Sequence, residues 1–200
     1  MKYSLIAIDL QNDFTSEGGK NYKTRPSVGF LRETLFPFLK EKNIKISEIV
    51  SDYRQPRPGD RGDCCHPGTW GYESIVPEEI VKARWIKCMN SPIWVRENMG
   101  DPNKKPGTPY QDTEAFDAWL KKDVGKSNEI KPVLFGLTID CCVLATLMEL
   151  SLRGYATSVL KEGVDHYNGT ESSKEASLSS TAHNWTEVIT WDELKEELES

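Results

Sequence analysis

The sequence has no run of apolar residues approaching the ~18 that a membrane-spanning helix needs. Its opening stretch, Met1 to Asp9, stays apolar for a few residues only and ends in an acid, too short for a secretory leader. Base is in deficit. Lys and Arg number 25 against 31 Asp and Glu, a formal charge of −6, which argues against nucleic acid or an anionic membrane as the main partner. Also missing are a Cys-x-x-Cys pair, a Gly-x-Gly-x-x-Gly turn and a Walker-type phosphate loop, so a dithiol couple and a nucleotide cofactor lack their usual anchors. The five cysteines are odd in number. Four of them are sequence neighbours, Cys64-Cys65 and Cys141-Cys142, where a bridge would be strained. The expectation is a cytoplasmic chain in a reducing compartment, with the Asn168-Gly-Thr and Asn184-Trp-Thr sequons present by chance.

What is there is one domain. Two hundred residues can bury roughly 70% of their unfolded surface, and neither a repeat nor a linker divides 1–200. Short apolar runs at Tyr3–Ile8, Ile46–Val50, Trp85–Ile86, Pro132–Phe135, Ala156–Leu160 and Glu187–Thr190 read as buried strands, several without alternation. Helical spacing falls between them at Val28–Lys40, Thr113–Lys122, Cys142–Leu152, Ser172–His183 and Asp192–Leu198, with Pro37 a candidate kink and Gly154 a stop. Such alternation predicts an α/β sandwich with a mostly parallel sheet. Two long connections, Asp52–Gly71 and Arg96–Gln111, are rich in Pro, Gly and charge and are candidates to roof a site.

Open α/β sheets bind ligands beyond the carboxyl ends of their strands. Asp9 and Lys87 close predicted strands, and Cys142 opens an apolar helix just past another. A thiol at a helix N-terminus, next to an ammonium, is expected to lose its proton more easily. A carboxylate can carry that proton to a leaving amine. N–H groups at the helix start can hold an oxyanion. Together the three suit acyl transfer through a thioester. Singly, each has an ordinary reading: a core cysteine, a turn-capping acid, a surface lysine.

At these residues the chain resembles the isochorismatase-like cysteine hydrolases, which include nicotinamidases and N-carbamoylsarcosine amidases. Ile8-Asp9-Leu10-Gln11-Asn12-Asp13-Phe14 looks like the first signature. Gly136-Leu137-Thr138-Ile139-Asp140-Cys141-Cys142-Val143 looks like the third. Lys87-Cys88-Met89-Asn90-Ser91-Pro92-Ile93-Trp94 and His66-Pro67-Gly68-Thr69-Trp70-Gly71 are similar to intervening segments. The resemblance implies a three-layer α/β/α sandwich with a six-stranded, mostly parallel sheet. It implies a triad of Asp9 as base, Lys87 as electrostatic partner and Cys142 rather than Cys141 as nucleophile. It also implies a cis peptide between Leu137 and Thr138, an oxyanion hole from the N–H groups of Thr138 and Cys142, and a homodimer or homotetramer.

The departures shape the substrate. Nicotinamidases share an Asp-x-His segment and a second His that bind a metal. Here the segment reads Asp52-Tyr53-Arg54, and the next His is His66. Arg54 has no lone pair to give a metal, so no metal is expected, and His66 with Asp52, Asp60 or Cys65 is the less favoured site. Isochorismatases proper generally lack the cysteine. Nicotinamidase and isochorismatase chemistry are therefore less expected than cleavage of a small amide or N-carbamoyl compound, without a cofactor. Arg54 would grip a substrate carboxylate, with Phe14, Trp70 and Trp94 among the aromatic walls, together with Tyr53 and Tyr72. Two other readings are a thiol redox protein and an inactive member of the fold serving as a binding or scaffold subunit.

Overall fold

The apolar runs become strands of one sheet in a computed structural model that describes residues 1–200. Strands β1 (Lys2–Ile8), β2 (Ile46–Ser51) and β3 (Val81–Lys87) form one half. The short pair β4 (Trp94–Val95) and β5 (Tyr110–Gln111) makes a separate antiparallel ladder inside the second long connection. Strands β6 (Ile130–Leu137), β7 (Ser158–Asp165) and β8 (Glu187–Ile189) complete the sheet, in the order β3-β2-β1-β6-β7-β8. Every pairing in it is parallel. The order reverses between β1 and β6, which places a crevice at their carboxyl ends.

Strand β1 shows how two faces are covered. Ile6 and Ile8 pack into one buried cluster, with Phe116, Val143, Leu147 and Leu178. Leu5 and Ala7 pack into the other, with Leu31, Leu35, Leu39 and Leu194. The first cluster is supplied by α4 (Thr113–Trp119), α5 (Cys142–Leu152) and α6 (Glu171–Asn184), the second by α2 (Pro26–Phe30), α3 (Phe36–Glu41) and α7 (Trp191–Glu199). A single turn, α1 (Asn12–Thr15), follows β1. The three-layer α/β/α sandwich of the sequence reading is therefore the observed architecture, with all six strands parallel.

Three details differ from the expected elements. Around Pro37, expected only as a kink, α2 runs through a π turn at Leu31–Leu35 into α3 with helical dihedrals throughout. That wider turn precedes the place where proline offers no N–H. Strand β7 runs on to Asp165 rather than stopping at Leu160. The half-buried Lys161 and Glu162 interrupt the apolar run at a register shift against β6, where Leu134 pairs with Val159 and Gly136 with Val164. The ladder β4–β5 carried no readable pattern at two residues a strand.

Gly136 is where a side chain is forbidden. Its φ is +123°, and an added Cβ would lie 2.0 Å from the Ile8 carbonyl oxygen, so β1 and β6 close tightly just beneath the crevice.

Candidate active site

The first signature divides its polar residues among separate tasks. Asp9 leaves β1 with a left-handed φ of +51°, an uncommon conformation for a residue with a side chain. Gln11 locks the end of β2: its Nε2 donates to the Ser51 carbonyl (2.9 Å) and its Oε1 accepts from the Ser51 N–H (2.7 Å). Asp13 accepts from the N–H of Cys65 (2.6 Å) and of Lys20 (3.0 Å), fixing the turn through the two adjacent cysteines. Gly71 lies so close that a Cβ there would sit 2.5 Å from the Asp13 carboxylate.

Lys87, at the end of β3, is fully buried and reaches under β2 toward β1. Its ammonium donates to Asp9 Oδ2 (2.8 Å), Ser51 Oγ (2.9 Å) and Tyr53 Oη (2.6 Å), and lies 3.4 Å from Cys142 Sγ. Ser51 Oγ in turn donates to Asp9 Oδ1 at 2.7 Å. The Tyr53 hydroxyl lies 3.3 Å from Cys142 Sγ. Because its oxygen already accepts from Lys87, its hydrogen is free to point at the sulfur. The three residues expected to act together are thus joined in one buried cluster, with Ser51, which the sequence did not reveal, and Tyr53, expected only as an aromatic wall. It is Cys142, not Cys141, whose sulfur meets Lys87.

Electrostatics correct one expectation. Burial, and then the Asp9 charge, push the Cys142 thiol up to about 12, against the opposing pull of Lys87. The helix N-terminus and ammonium therefore do not leave a standing thiolate at neutral pH; desolvation outweighs them. For Lys87, burial acts to lower the ammonium, yet the Asp9 and Cys142 charges and hydrogen bonds hold it above its ordinary value. Tyr53 is raised well above the phenol range by burial and by the Cys142 and Asp9 charges. In the resting site the sulfur and the phenol carry their protons.

Cys142 begins α5, and the Leu137–Thr138 peptide ahead of it is cis, as the resemblance implied. The N–H groups of Thr138 and Cys142 donate to no other group of the protein, and both residues line the cleft. Above them lies a cleft of ≈ 320 Å³, at the small end of ligand pockets. Asp9, Phe14, Tyr53, Thr138 and Cys142 line it, with Asn90, whose Oδ1 lies 3.6 Å from Cys142 Sγ. Phe14 meets the Tyr53 ring edge to face at 6.3 Å.

Four expectations for the pocket do not hold. Arg54 is not in the cleft. All five of its N–H donors are taken: Nε and Nη2 bond Asp52 (2.9 and 2.7 Å), Nη1 bonds the carbonyls of Asp101 and Lys104, and Nη2 that of Asn98. It staples the two long loops together. Trp70 is 48% exposed and outside the cleft; Asn12 holds it by its carbonyl. Trp94 packs half-buried on the core while its backbone pairs with β5. Tyr72 is likewise absent from the lining.

A nicotinamidase-type metal does not fit these residues. Both Asp52 oxygens are occupied by Arg54, Arg96 (3.0 Å) and the Gly100 N–H (3.1 Å), which hold the carboxylate below its ordinary range against the effect of burial. His66 bonds Asp63 at 2.7 Å instead, and Asp60 pairs with Arg57. Two guanidinium groups stand where a cation's charge would be needed.

A six-stranded parallel sheet in this order between two helical layers is the fold of solved isochorismatase-like hydrolases and nicotinamidases. An isochorismatase-like hydrolase from Alkaliphilus metalliredigens is similar at a TM-score of 0.67 and 19% identity, over 98% of this chain and 96% of that one. A nicotinamidase/pyrazinamidase from Bacillus subtilis matches at 0.67 and 19%, over 94% and 100%. A cysteine hydrolase from Pseudomonas syringae pv. phaseolicola matches at 0.68 and 15%, over 99% and 92%. No protein-family model and no curated protein matches the sequence. The nicotinamidase likeness runs against the expectation that such activity is the less favoured one; at this identity it speaks for the fold.

Proposed function

We infer that this chain is a cysteine hydrolase that cleaves the C–N bond of a small amide or N-carbamoyl compound. The observation that carries the reading is the buried contact of Lys87 with Asp9 at 2.8 Å and with Cys142 at 3.4 Å, beneath a cleft.

The chemistry follows from the protons. The resting thiol gives its proton to Asp9 as the sulfur adds to the carbonyl carbon. Lys87 and the Tyr53 hydroxyl compensate the charge on sulfur, and the N–H groups of Thr138 and Cys142 hold the oxyanion. The C–N bond then breaks, and the departing nitrogen takes the proton from Asp9, leaving a thioester. Water adds next, passing a proton to Asp9, and the sulfur leaves as thiol with that proton returned. The sum is amide plus water to acid plus ammonia or amine.

Nicotinamide belongs in the assay panel because nicotinamidases share the fold, beside ureido acids and aliphatic amides. The expected result is ammonia from at least one compound and a transient mass adduct on the protein, both abolished by Cys142→Ala. Turnover that survives Cys142→Ala would overturn the thioester mechanism.

A further inference from the structure

The cleft is positively charged although the chain as a whole carries −6. Its two carboxylates are both neutralised, Asp9 by Lys87 at 2.8 Å and Asp60 by Arg57 at 2.5 Å. Two further lining residues, Arg25 and Arg61, take part in no ion pair. Arg61 is exposed at the mouth and bonds nothing in the protein. Arg25 is only 5% exposed. Its Nη1 donates to the Phe14 carbonyl at 2.9 Å, its Nη2 is 3.5 Å from the Tyr167 carbonyl, and its Nε has no partner at all. Asp165 and Asp140 act on it through space but neither bonds it, and a buried guanidinium with no bonded carboxylate is an unfavourable arrangement. The Nε is sealed from the cleft, so an anion arriving there relieves the arrangement through its charge rather than by bonding that nitrogen.

The geometry points to a carboxylate-bearing substrate: a small amide or ureido acid whose anion is received by Arg25 and Arg61 while its scissile carbonyl meets Cys142. This names the substrate class for the hydrolase proposed above, and rests on that reading. A planar carboxylate matches the forked donors of guanidinium better than a spherical anion does. A cleft of ≈ 320 Å³ admits a molecule of that size and little more. The role expected of Arg54 thus passes to two arginines that sequence spacing did not connect with the cleft. Burial also holds Arg25 below its ordinary value, outweighing the opposing pull of Asp165, Tyr167 and Asp140.

Iodoacetate and iodoacetamide test this on the intact protein, since they deliver the same CH2–I group with and without a negative charge. The ratio of their alkylation rates at Cys142 is read by mass spectrometry against the same ratio on N-acetylcysteine amide. An anion site raises the protein's ratio roughly tenfold over the model thiol. Arg61→Gln and Arg25→Gln each lower it; Arg61 is exposed, so that variant probes the site without disturbing the core. A ratio at or below that of the model thiol overturns the proposal. A second arm measures calorimetric binding of succinamate and of neutral succinamide to the Cys142→Ala protein. Tighter binding of the acid supports the anion site; equal binding, or none of either, overturns it. If no compound of the amide and ureido panel is turned over yet the acid is preferred in the second arm, the anion site stands and the hydrolase reading falls.

Discussion

Replacing Tyr53 by Phe removes one O–H from the sulfur and leaves the ring under Arg57, whose guanidinium carbon lies 3.7 Å from its centre. Hydrogen bonds to a charged group are worth about 1.5–3 kcal/mol, so Tyr53→Phe is expected to raise the thiol's pKa further. Alkylation of Cys142 at pH 8 then slows about tenfold, with the protein still folded by circular dichroism. A rate unchanged in this variant would show that the hydroxyl does not support the thiolate. In the unmodified protein the labelling rate is expected to climb about tenfold per pH unit beyond pH 9, because the thiol titrates near 12; a plateau near neutrality would contradict that. At this scale the sequence spoke unevenly. Asp9, Lys87 and Cys142 were legible because each sits at the end of an apolar run, where a change of pattern marks a position. Ser51 also ends an apolar run but carries a hydroxyl with no chemistry of its own to flag it, and Tyr53, Asn90, Arg25 and Arg61 had no such mark. Arg54 misled because a free guanidinium in a polar loop looks the same in sequence as one saturated by five neighbours.

At the level of elements, the two long connections behave as one structure tied at Asp52. Its carboxylate is fully buried and bonded to Arg54 and Arg96, and Arg96 also donates to the Arg54 carbonyl at 2.8 Å. Asp52→Asn keeps the shape but leaves two guanidinium charges uncompensated. Breaking a buried ion pair this way costs about 3–5 kcal/mol. The expected outcome is a matching loss in urea unfolding, with faster hydrogen exchange confined at first to 52–71 and 96–111. Equal exchange in both proteins would refute the tie. The pair β1 and β6 depends on Gly136 in a different way. Gly136→Ala brings a methyl against the Ile8 carbonyl, and the variant is expected to lose more than about 3 kcal/mol or fail to fold, checked by the same denaturation series. Helices and strands with sustained periods were readable to within a few residues. The ladder β4–β5 and the continuation of β7 past Lys161 were not, since local pattern says nothing of a pairing made by loop geometry or a bulge.

For the molecule as a whole, alkaline pH is the expected weakness. Cys142 and Lys87 both keep their protons to higher pH in the folded chain than their ordinary values allow. The folded state therefore binds more protons than the unfolded one above about pH 9, and stability falls as pH rises. For the thiol the slope approaches about 1.4 kcal/mol per pH unit up to about 12. Urea unfolding at stepped pH is expected to show a shallower decline for Cys142→Ala than for the parent; identical slopes would remove Cys142 as a source. The overall architecture was legible because strand and helix patterns alternate through nearly the whole length, and a parallel sheet is the economical way to pair such strands. No helix is long and apolar enough to cross a membrane.

The contact of Lys87 with Asp9 spans 78 positions of chain, and that with Cys142 spans 55. Strand β3 also lies at one edge of the sheet, so its lysine reaches the others only after β2 and β1 have come together. Contacts of such sequence separation close late, after the loop entropy between them has been overcome. A chain emerging during synthesis or recovering from denaturant therefore carries ordinary, accessible thiols first. Only when β6 docks does Cys142 become a guarded one. Cys64, Cys65 and Cys88 are buried as well, so the slow, high-pH reactivity of Cys142 marks completed folding when its own peptide is followed after quenching refolding at intervals with a thiol reagent.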